Sequence, residues 1–339
     1  MRRMAGLFLL ACACGSATPR EPMRMGTAGD VTRAERGDER PAEQDDGVPH
    51  AWLWKVFGGR SRAPSYVLGT MHIGVGVRRA LPQHLDQHLY HARSVVMEVD
   101  PREVDRMLTS ARRGPSGRSR GLDHLLPREA WDALVAELGD RVPREVLRRV
   151  PGGALGLYLQ QVRMAEVEAA EEGRTPVRGA TSSTRLDMAI FDWAVRAGRP
   201  VVPLETPEEA FAALEAISDG DVIEPLRRLL LEADAARGEA RHLRDAYLSF
   251  EESRITSLLD AEMPERMRQI LLLGRNEAWM PHLLPEIEAG DAFVAVGVAH
   301  LLGPGNVLER LAAEGFEVRR VTGLGTPPTD DGPFQLVAP

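Results

Sequence analysis

Apolar positions along this chain fall into short runs and into longer stretches with helical spacing. Six short runs have the length and the valine-rich or aromatic content of strands, and they lie at residues 52–57, 66–68, 94–97, 201–204, 292–296 and 316–321. Residues 127–170 and 206–287 instead contain mostly helical patterns. Because strands alternate with helices, we predict an α/β fold, with α+β as the alternative. Its centre is expected to be a mixed sheet that opens with a hairpin and carries a large helical portion.

The first residues have the pattern of an export signal. Arg2 and Arg3 precede a short apolar run that ends at Ala11 and Cys12. The run resembles the cleavage box of bacterial lipoproteins, so residues 1–14 predict a signal segment with lipid attached at Cys12. An ordinary secretory signal is the alternative.

The rest of the chain divides by composition into three parts. Residues 15–49 are rich in Gly, Pro, Arg and acidic residues and contain almost nothing apolar, which predicts a disordered tether. A single domain is expected at 50–325, followed by a flexible tail at 326–339. With the signal segment, this order predicts a protein exported and lipid-anchored to the bacterial cell envelope, at a membrane surface or in the periplasm.

Charge and cysteine usage exclude several function classes. The net charge of −8 lacks the positive field that draws proteins to phosphates, so no nucleic-acid partner is expected and membrane contact is expected only through the lipid anchor. No apolar run reaches the length of a transmembrane helix. Cys12 and Cys14 are the only cysteines. The domain therefore has no disulfide, no thiolate metal site and no cysteine nucleophile.

Three candidate side chains follow buried-looking strands. Gly69 opens a Gly-x-x-His turn that ends at His72, Gly297 opens a second one that ends at His300, and Glu98 follows the run at 94–97. The spacing alone is weak evidence, since the chain contains four such matches, but only these two follow strands. Because ligands bind at the carboxyl ends of strands in α/β sheets, we expect the two imidazoles and the carboxylate to share one cleft.

With these residues the sequence resembles the TraB/GumN family, which includes the animal Tiki proteins. Further family-like elements contain Asp187, at the start of a helix, Glu205 in Leu-Glu-Thr, and the pair Arg275-Asn276. The resemblance runs from about residue 52 to 321. It extends distantly to erythromycin-esterase-like hydrolases and to haem-binding ChaN-like lipoproteins, whose fold type is expected here.

The resemblance implies a metal-dependent peptidase that uses Mn²⁺ or Co²⁺, and a mixed N/O ligand set would also suit Zn²⁺. His72, His300 and Glu98 are the candidate metal ligands and, with Arg275, the candidate catalytic residues. Glu98 would act as general base or ligand, and Arg275 would stabilise charge on the substrate.

Further residues are expected to support the site, namely Glu205, Asn276, Asp187, Gly69 and Gly297. The substrate is expected to be a peptide or a small molecule, and no nucleotide cofactor is expected.

Two alternatives stay open from the residues themselves. In a metal-free, esterase-like scheme, Glu98 or a histidine takes a proton from water and the other histidine protonates the leaving group. In a binding lipoprotein, His72 or His300 would instead hold haem iron. A degenerate site with an interaction role is a third possibility, against which the intact His72, Glu98 and His300 argue.

Overall fold

The computed structural model of the protein describes residues 49–60, 63–80, 88–89, 91–103, 121–181 and 186–322. Its centre is a six-stranded mixed sheet, in the order β4-β3-β5-β2-β1-β6. The strands are β1 (Leu53–Phe57), β2 (Ser65–Thr70), β3 (Ser94–Met97), β4 (Val201–Pro203), β5 (Ala292–Gly297) and β6 (Glu317–Arg320). The predicted α/β fold with a mixed sheet is thereby confirmed.

The four strands from β4 to β2 run parallel, and β1 and β6 extend the sheet by antiparallel pairing. β5 pairs with β3 on one side and β2 on the other, and all of its residues are buried. A strand covered on both faces needs a continuous apolar run, which is the pattern of Ala292–Gly297. The opening hairpin is confirmed by the pairing of Leu53 with Leu68. The carboxyl ends of β2, β3, β4 and β5 therefore lie side by side.

The helical portion surrounds the sheet and confirms the helical patterns of the sequence. Its α-helices are α1 (Val77–Ala80), α2 (Leu122–Leu125), α3 (Arg128–Leu138), α4 (Arg144–Leu147), α5 (Gly152–Glu171), α6 (Leu186–Arg196), α7 (Pro207–Glu215), α8 (Asp219–Leu231), α9 (Ala233–Leu248), α10 (Glu252–Glu262), α11 (Glu265–Arg268), α12 (Gly274–Ala289) and α13 (Val307–Ala313). The long helix α5 packs against α8 and α9. In the described part of the chain, no helix combines the length and apolarity needed to cross a bilayer.

Helix α7 begins where its sequence predicts. Thr206 Oγ1 accepts the backbone N–H of Glu209 at 3.2 Å, and the Glu209 carboxylate accepts the N–H of Thr206 at 2.8 Å. Pro207 occupies the first helical turn, where its missing N–H costs nothing. Because the capping box starts the helix at Pro207, only Leu204, Glu205 and Thr206 separate β4 from α7.

The C-terminal strand pairs with a distant partner. β5, α13 and β6 follow one another along the chain, as a βαβ unit does, yet β6 pairs with β1 and not with β5. The predicted signal segment at 1–14 with Cys12, most of the tether at 15–49 and the tail at 326–339 lie outside the described residues.

Candidate functional site

The predicted side chains follow the carboxyl ends of neighbouring strands. His72 follows β2, Glu98 follows β3, Glu205 follows β4, and His300 lies in the 3₁₀ turn Val298–Leu301 after β5. The backbone N–H of Glu205 donates to the Glu98 carbonyl at 3.0 Å, so the strand ends stay joined beyond the sheet. All four side chains are buried. The sheet order, and not sequence distance, therefore brings them to one edge.

The two Gly-x-x-His turns pack against each other at Gly69. A Cβ atom at this position would lie 3.0 Å from Val298 Cγ2 and 3.1 Å from the Cβ of Trp52. The Gly69 carbonyl accepts the Tyr247 hydroxyl at 2.8 Å, and its N–H donates to the Trp52 carbonyl at 2.7 Å. Close packing therefore favours glycine here, because a methyl group would press against the second turn.

Tyr247 was missed by the sequence analysis. It lies in α9, 178 residues from Gly69, and is fully buried. Burial raises the pKa of its hydroxyl far above the ordinary value, so the group stays a neutral donor. No local pattern signals this contact.

Glu98 is held by one hydrogen bond at each carboxylate oxygen. Its Oε1 accepts the backbone N–H of Gly297 at 2.7 Å, and its Oε2 accepts Nη2 of Arg275 at 2.7 Å. The first contact crosses from β3 to the central strand at the start of the second Gly-x-x-His turn. Gly297 therefore contributes its backbone amide to the site.

Arg275 enters the site from the start of α12. The preceding turn, Gln269–Leu273, is a π-helix, an irregularity that is frequent at functional sites. Nη1 of Arg275 donates to the Leu271 carbonyl at 3.2 Å. In an uninterrupted α-helix that carbonyl accepts the backbone amide four residues later. The π-turn and the side-chain contact together direct the guanidinium toward the strand ends.

All three guanidinium nitrogens of Arg275 have protein acceptors. Nε donates to both oxygens of Glu205 at 3.1 Å, and Nη2 contacts Glu205 as well as Glu98. Nη1 lies 3.3 Å from Nε2 of His300. A substrate anion would have to compete with these acceptors for Arg275. The suggested role in stabilising substrate charge stays a prediction.

His300 is neutral and its tautomer follows from its neighbours. Asn276 Nδ2 donates to the Gly305 carbonyl at 3.2 Å, so Asn276 Oδ1 accepts the Nδ1–H of His300 at 2.6 Å. The lone pair on Nε2 then points toward Arg275. Burial, Arg275 and His72 together lower the pKa of His300 well below 6.5, which keeps the ring uncharged.

Trp279 also contacts this part of the site. Its ring centroid lies 4.3 Å from that of His300, and the Arg275 guanidinium lies 4.9 Å from it. Trp279 was not among the residues predicted from the sequence, although one signal was present. Trp279 is four residues after Arg275, which places both on one face of a helix.

His72 lies between two carboxylates. Its Nδ1 is 3.6 Å from Oδ2 of Asp187, and its Nε2 is 3.7 Å from Oε1 of Glu98. Both separations exceed hydrogen-bond length, so these are electrostatic contacts. Asp187 reaches His72 from the first turn of α6. The arrangement orients each ring nitrogen toward an acidic group.

Glu205 shares the Arg275 guanidinium with Glu98. Its pKa is raised, first because burial disfavours the charged form and also because Glu98 is close, while Arg275 acts in the opposite direction. One cation between two buried carboxylates leaves an excess of negative charge. A proton on the Glu205 carboxylate is therefore more favourable than on an ordinary exposed glutamate.

The described donor groups at this edge of the sheet are not arranged around a common point that a divalent metal ion could occupy. Among the described residues, no group of three or more His, Cys, Asp or Glu side chains is arranged to hold a metal. Of the three expected metal ligands, Glu98 and His300 contact Arg275 instead, as does the neighbouring Glu205. The third, His72, lies between the carboxylates of Asp187 and Glu98. As arranged, these residues do not fit a metal.

Two surface grooves on the described residues lie away from this cluster. One is lined by residues of α9 and α10 that include His242 and Ser257, and another lies near Gly58 and Phe316. Neither contains His72 or His300. Both imidazoles instead contact protein side chains.

Comparisons with known proteins agree with the motifs. The model of the TraB/PrgY/gumN family matches residues 52–320. A zebrafish protein named Metalloprotease TIKI2 is 24% identical over 380 aligned positions, which cover 97% of this chain and 70% of that protein. The human Metalloprotease TIKI1 is 24% identical over 320 positions, covering 79% of this chain and 61% of its own length. No solved structure gives a significant match. The chain therefore belongs to the TraB/PrgY/gumN family.

Proposed function

We propose that this chain is an exported hydrolase that cleaves acyl bonds in peptides and uses His72 as its proton-transfer group. The observation that carries the proposal is the position of His72 between Asp187 and Glu98 at the shared carboxyl edge of the sheet. The similarity to proteins named metalloproteases supports a peptide substrate. Export and attachment through Cys12 are part of the proposal and rest on the sequence.

The chemistry follows from the charges around the imidazole. Asp187 beside Nδ1 favours a proton on that nitrogen, which leaves the lone pair of Nε2 to take a proton from water. The attacking oxygen then adds to the substrate carbonyl, and His72 returns the proton to the leaving group. A histidine in this role contributes roughly 10²- to 10⁴-fold to the rate.

Glu98 and Arg275 hold the surroundings of His72 in place. The Glu98 carboxylate is fixed by Gly297 and Arg275, and its Oε1 would accept the second hydrogen of the same water. His300 is neutral and engaged by Asn276 and Arg275, so its part is to position Arg275. The proposed reaction therefore uses His72 for proton transfer, with Glu98 and Arg275 beside it.

The purified full chain tests this proposal on a peptide library and on simple esters, with products identified by mass spectrometry. We expect cleavage by the wild type, a loss of about 100-fold or more in His72→Gln, and a similar loss in Glu98→Gln. His242→Gln is the matched control, because His242 is exposed on α9 and remote from the cluster. Equal turnover by His72→Gln and wild type would refute the role of His72.

Dependence on a divalent metal is tested in the same assay. Mn²⁺, Co²⁺ and Zn²⁺ are each added after treatment with a chelator. Activity that survives the chelator supports the metal-free scheme, and activity restored by one ion supports the metallopeptidase implied by the relatives.

A further inference from the structure

Arg275 is placed where a metal ion would be expected. Its guanidinium contacts two carboxylates, Glu98 and Glu205, and the Nε2 lone pair of His300. Carboxylate oxygen and neutral imidazole nitrogen are also the ligands preferred by Mn²⁺, Co²⁺ and Zn²⁺. The side chain therefore uses the donor set that a divalent ion would need.

The residues that hold His300 in place are arranged as they are around metal-binding histidines. Metal-binding histidines donate their other ring N–H to a fixed acceptor, which sets the tautomer. Here Asn276 Oδ1 accepts Nδ1–H of His300 at 2.6 Å, and Gly305 fixes the orientation of the amide. The lone pair of Nε2 is thus free of a proton and can face a cation, and the cation that it contacts is the Arg275 guanidinium.

Distances indicate that Arg275 and a metal cannot share the position. Metal bonds to these ligand types are about 2.0–2.2 Å long. The Arg275 nitrogens lie 2.7 Å from Glu98, 3.1 Å from Glu205 and 3.3 Å from His300. A divalent ion could reach all three ligands only by contracting the cluster into the space that the guanidinium fills.

We propose that the Arg275 guanidinium is the resident cation of this site, and that a divalent metal binds Glu98, Glu205 and His300 only when Arg275 is displaced. The two cations compete for one set of ligands. This competition is independent of the bond that the protein hydrolyses, so it is tested without any substrate.

The experiment measures Co²⁺ binding by equilibrium dialysis and elemental analysis on the full chain, together with the visible spectrum of bound Co²⁺. Wild type is compared with Arg275→Met, which removes the charge and keeps a long apolar stem. We expect the variant to bind about one equivalent at least tenfold more tightly than wild type, and to show a rise in Tm with Co²⁺. Adding His300→Gln to the variant should weaken this binding again.

Arg163→Met is the matched control. Arg163 is a buried arginine that contacts the carboxylates of Glu137 and Glu166, and within the described part of the chain these are its ion-pair partners. Its removal should not create Co²⁺ binding.

Three results would overturn the proposal. These are one equivalent bound by wild type and lost in Arg275→Met, no binding in either protein, or equal binding after Arg163→Met. If Arg275→Met does not fold alone, recovery of the folded protein with Co²⁺ supports the proposal. Failure to recover it with Co²⁺, Mn²⁺ or Zn²⁺ contradicts it.

Discussion

Substitution of Gly69 by alanine tests the contact between the two Gly-x-x-His turns. The new methyl carbon would lie 3.0 Å from Val298 Cγ2 and 3.1 Å from both Val298 Cβ and Trp52 Cβ. Favourable contacts between carbon atoms are about 3.5–4.0 Å, so each of the three is too short by at least a few tenths of an ångström. Val298 and Trp52 are fully buried and cannot move into solvent.

The expected cost combines two opposing effects. Overpacking of a buried site costs about 1–3 kcal/mol. Replacing glycine within a strand recovers about 0.5–1 kcal/mol, because the unfolded chain loses freedom. We therefore expect Gly69→Ala to lower the free energy of unfolding by up to about 2.5 kcal/mol. The midpoint of urea unfolding should fall without a change in slope.

Two further variants isolate the cause. In a Val298→Ala background part of the collision is removed, so Gly69→Ala should cost less there than in wild type. Gly238→Ala is the control, because Gly238 is exposed in α9 and a Cβ there would meet nothing within 4 Å. It should stabilise the protein by up to about 1 kcal/mol. An equal cost of Gly69→Ala in both backgrounds would refute the packing argument.

Three other predictions concern buried or capping groups. Because the pKa of His300 is lowered below 6.5 in the folded protein, its contribution to stability is present above that pH and is lost as the pH falls. The free energy of unfolding should fall by at most about 1.4 kcal/mol per pH unit as the pH is lowered from roughly 7 to 5. His300→Gln should remove this pH dependence from the urea midpoints, and the same pH dependence in both proteins would contradict the prediction. Tyr247→Phe leaves the Gly69 carbonyl without its 2.8 Å donor, so we expect a loss of about 1–3 kcal/mol in the same melts, and a loss below about 0.5 kcal/mol would argue against the contact. Thr206→Ala should cost about 1 kcal/mol through the cap of α7, whereas Thr206→Ser should preserve it.

The roles of the site residues can be separated by their effects on stability and turnover. Glu98 and Arg275 hold each other through a buried ion pair, so their variants are expected to alter both. His72 is the proposed proton-transfer group, so its substitution is expected to lower turnover strongly. Comparing turnover with the free energy of unfolding shows whether each variant acts through chemistry or through folding.

The sequence by itself determined the local features of this protein. Apolar runs of strand length marked the strands, the Thr206 capping box marked the start of α7, and Gly-x-x-His turns after two buried strands marked His72 and His300. These signals are readable because hydrophobic periodicity and turn chemistry act between residues that are close along the chain. The family resemblance added Asp187, Glu205, Arg275 and Asn276 without their contacts.

Only the tertiary structure decided which groups meet. Arg275 and Glu98 are 177 residues apart, and sheet order and the π-turn before α12 bring them within 2.7 Å. The hydrogen bond from Tyr247 to Gly69 could not be predicted for the same reason, because the two residues are 178 positions apart. Two of the expected metal ligands, Glu98 and His300, contact the Arg275 guanidinium in the fold, a contact that the sequence does not show. Hydrogen-bond partners are set by strand register and helix placement, which depend on the whole core and not on local spacing.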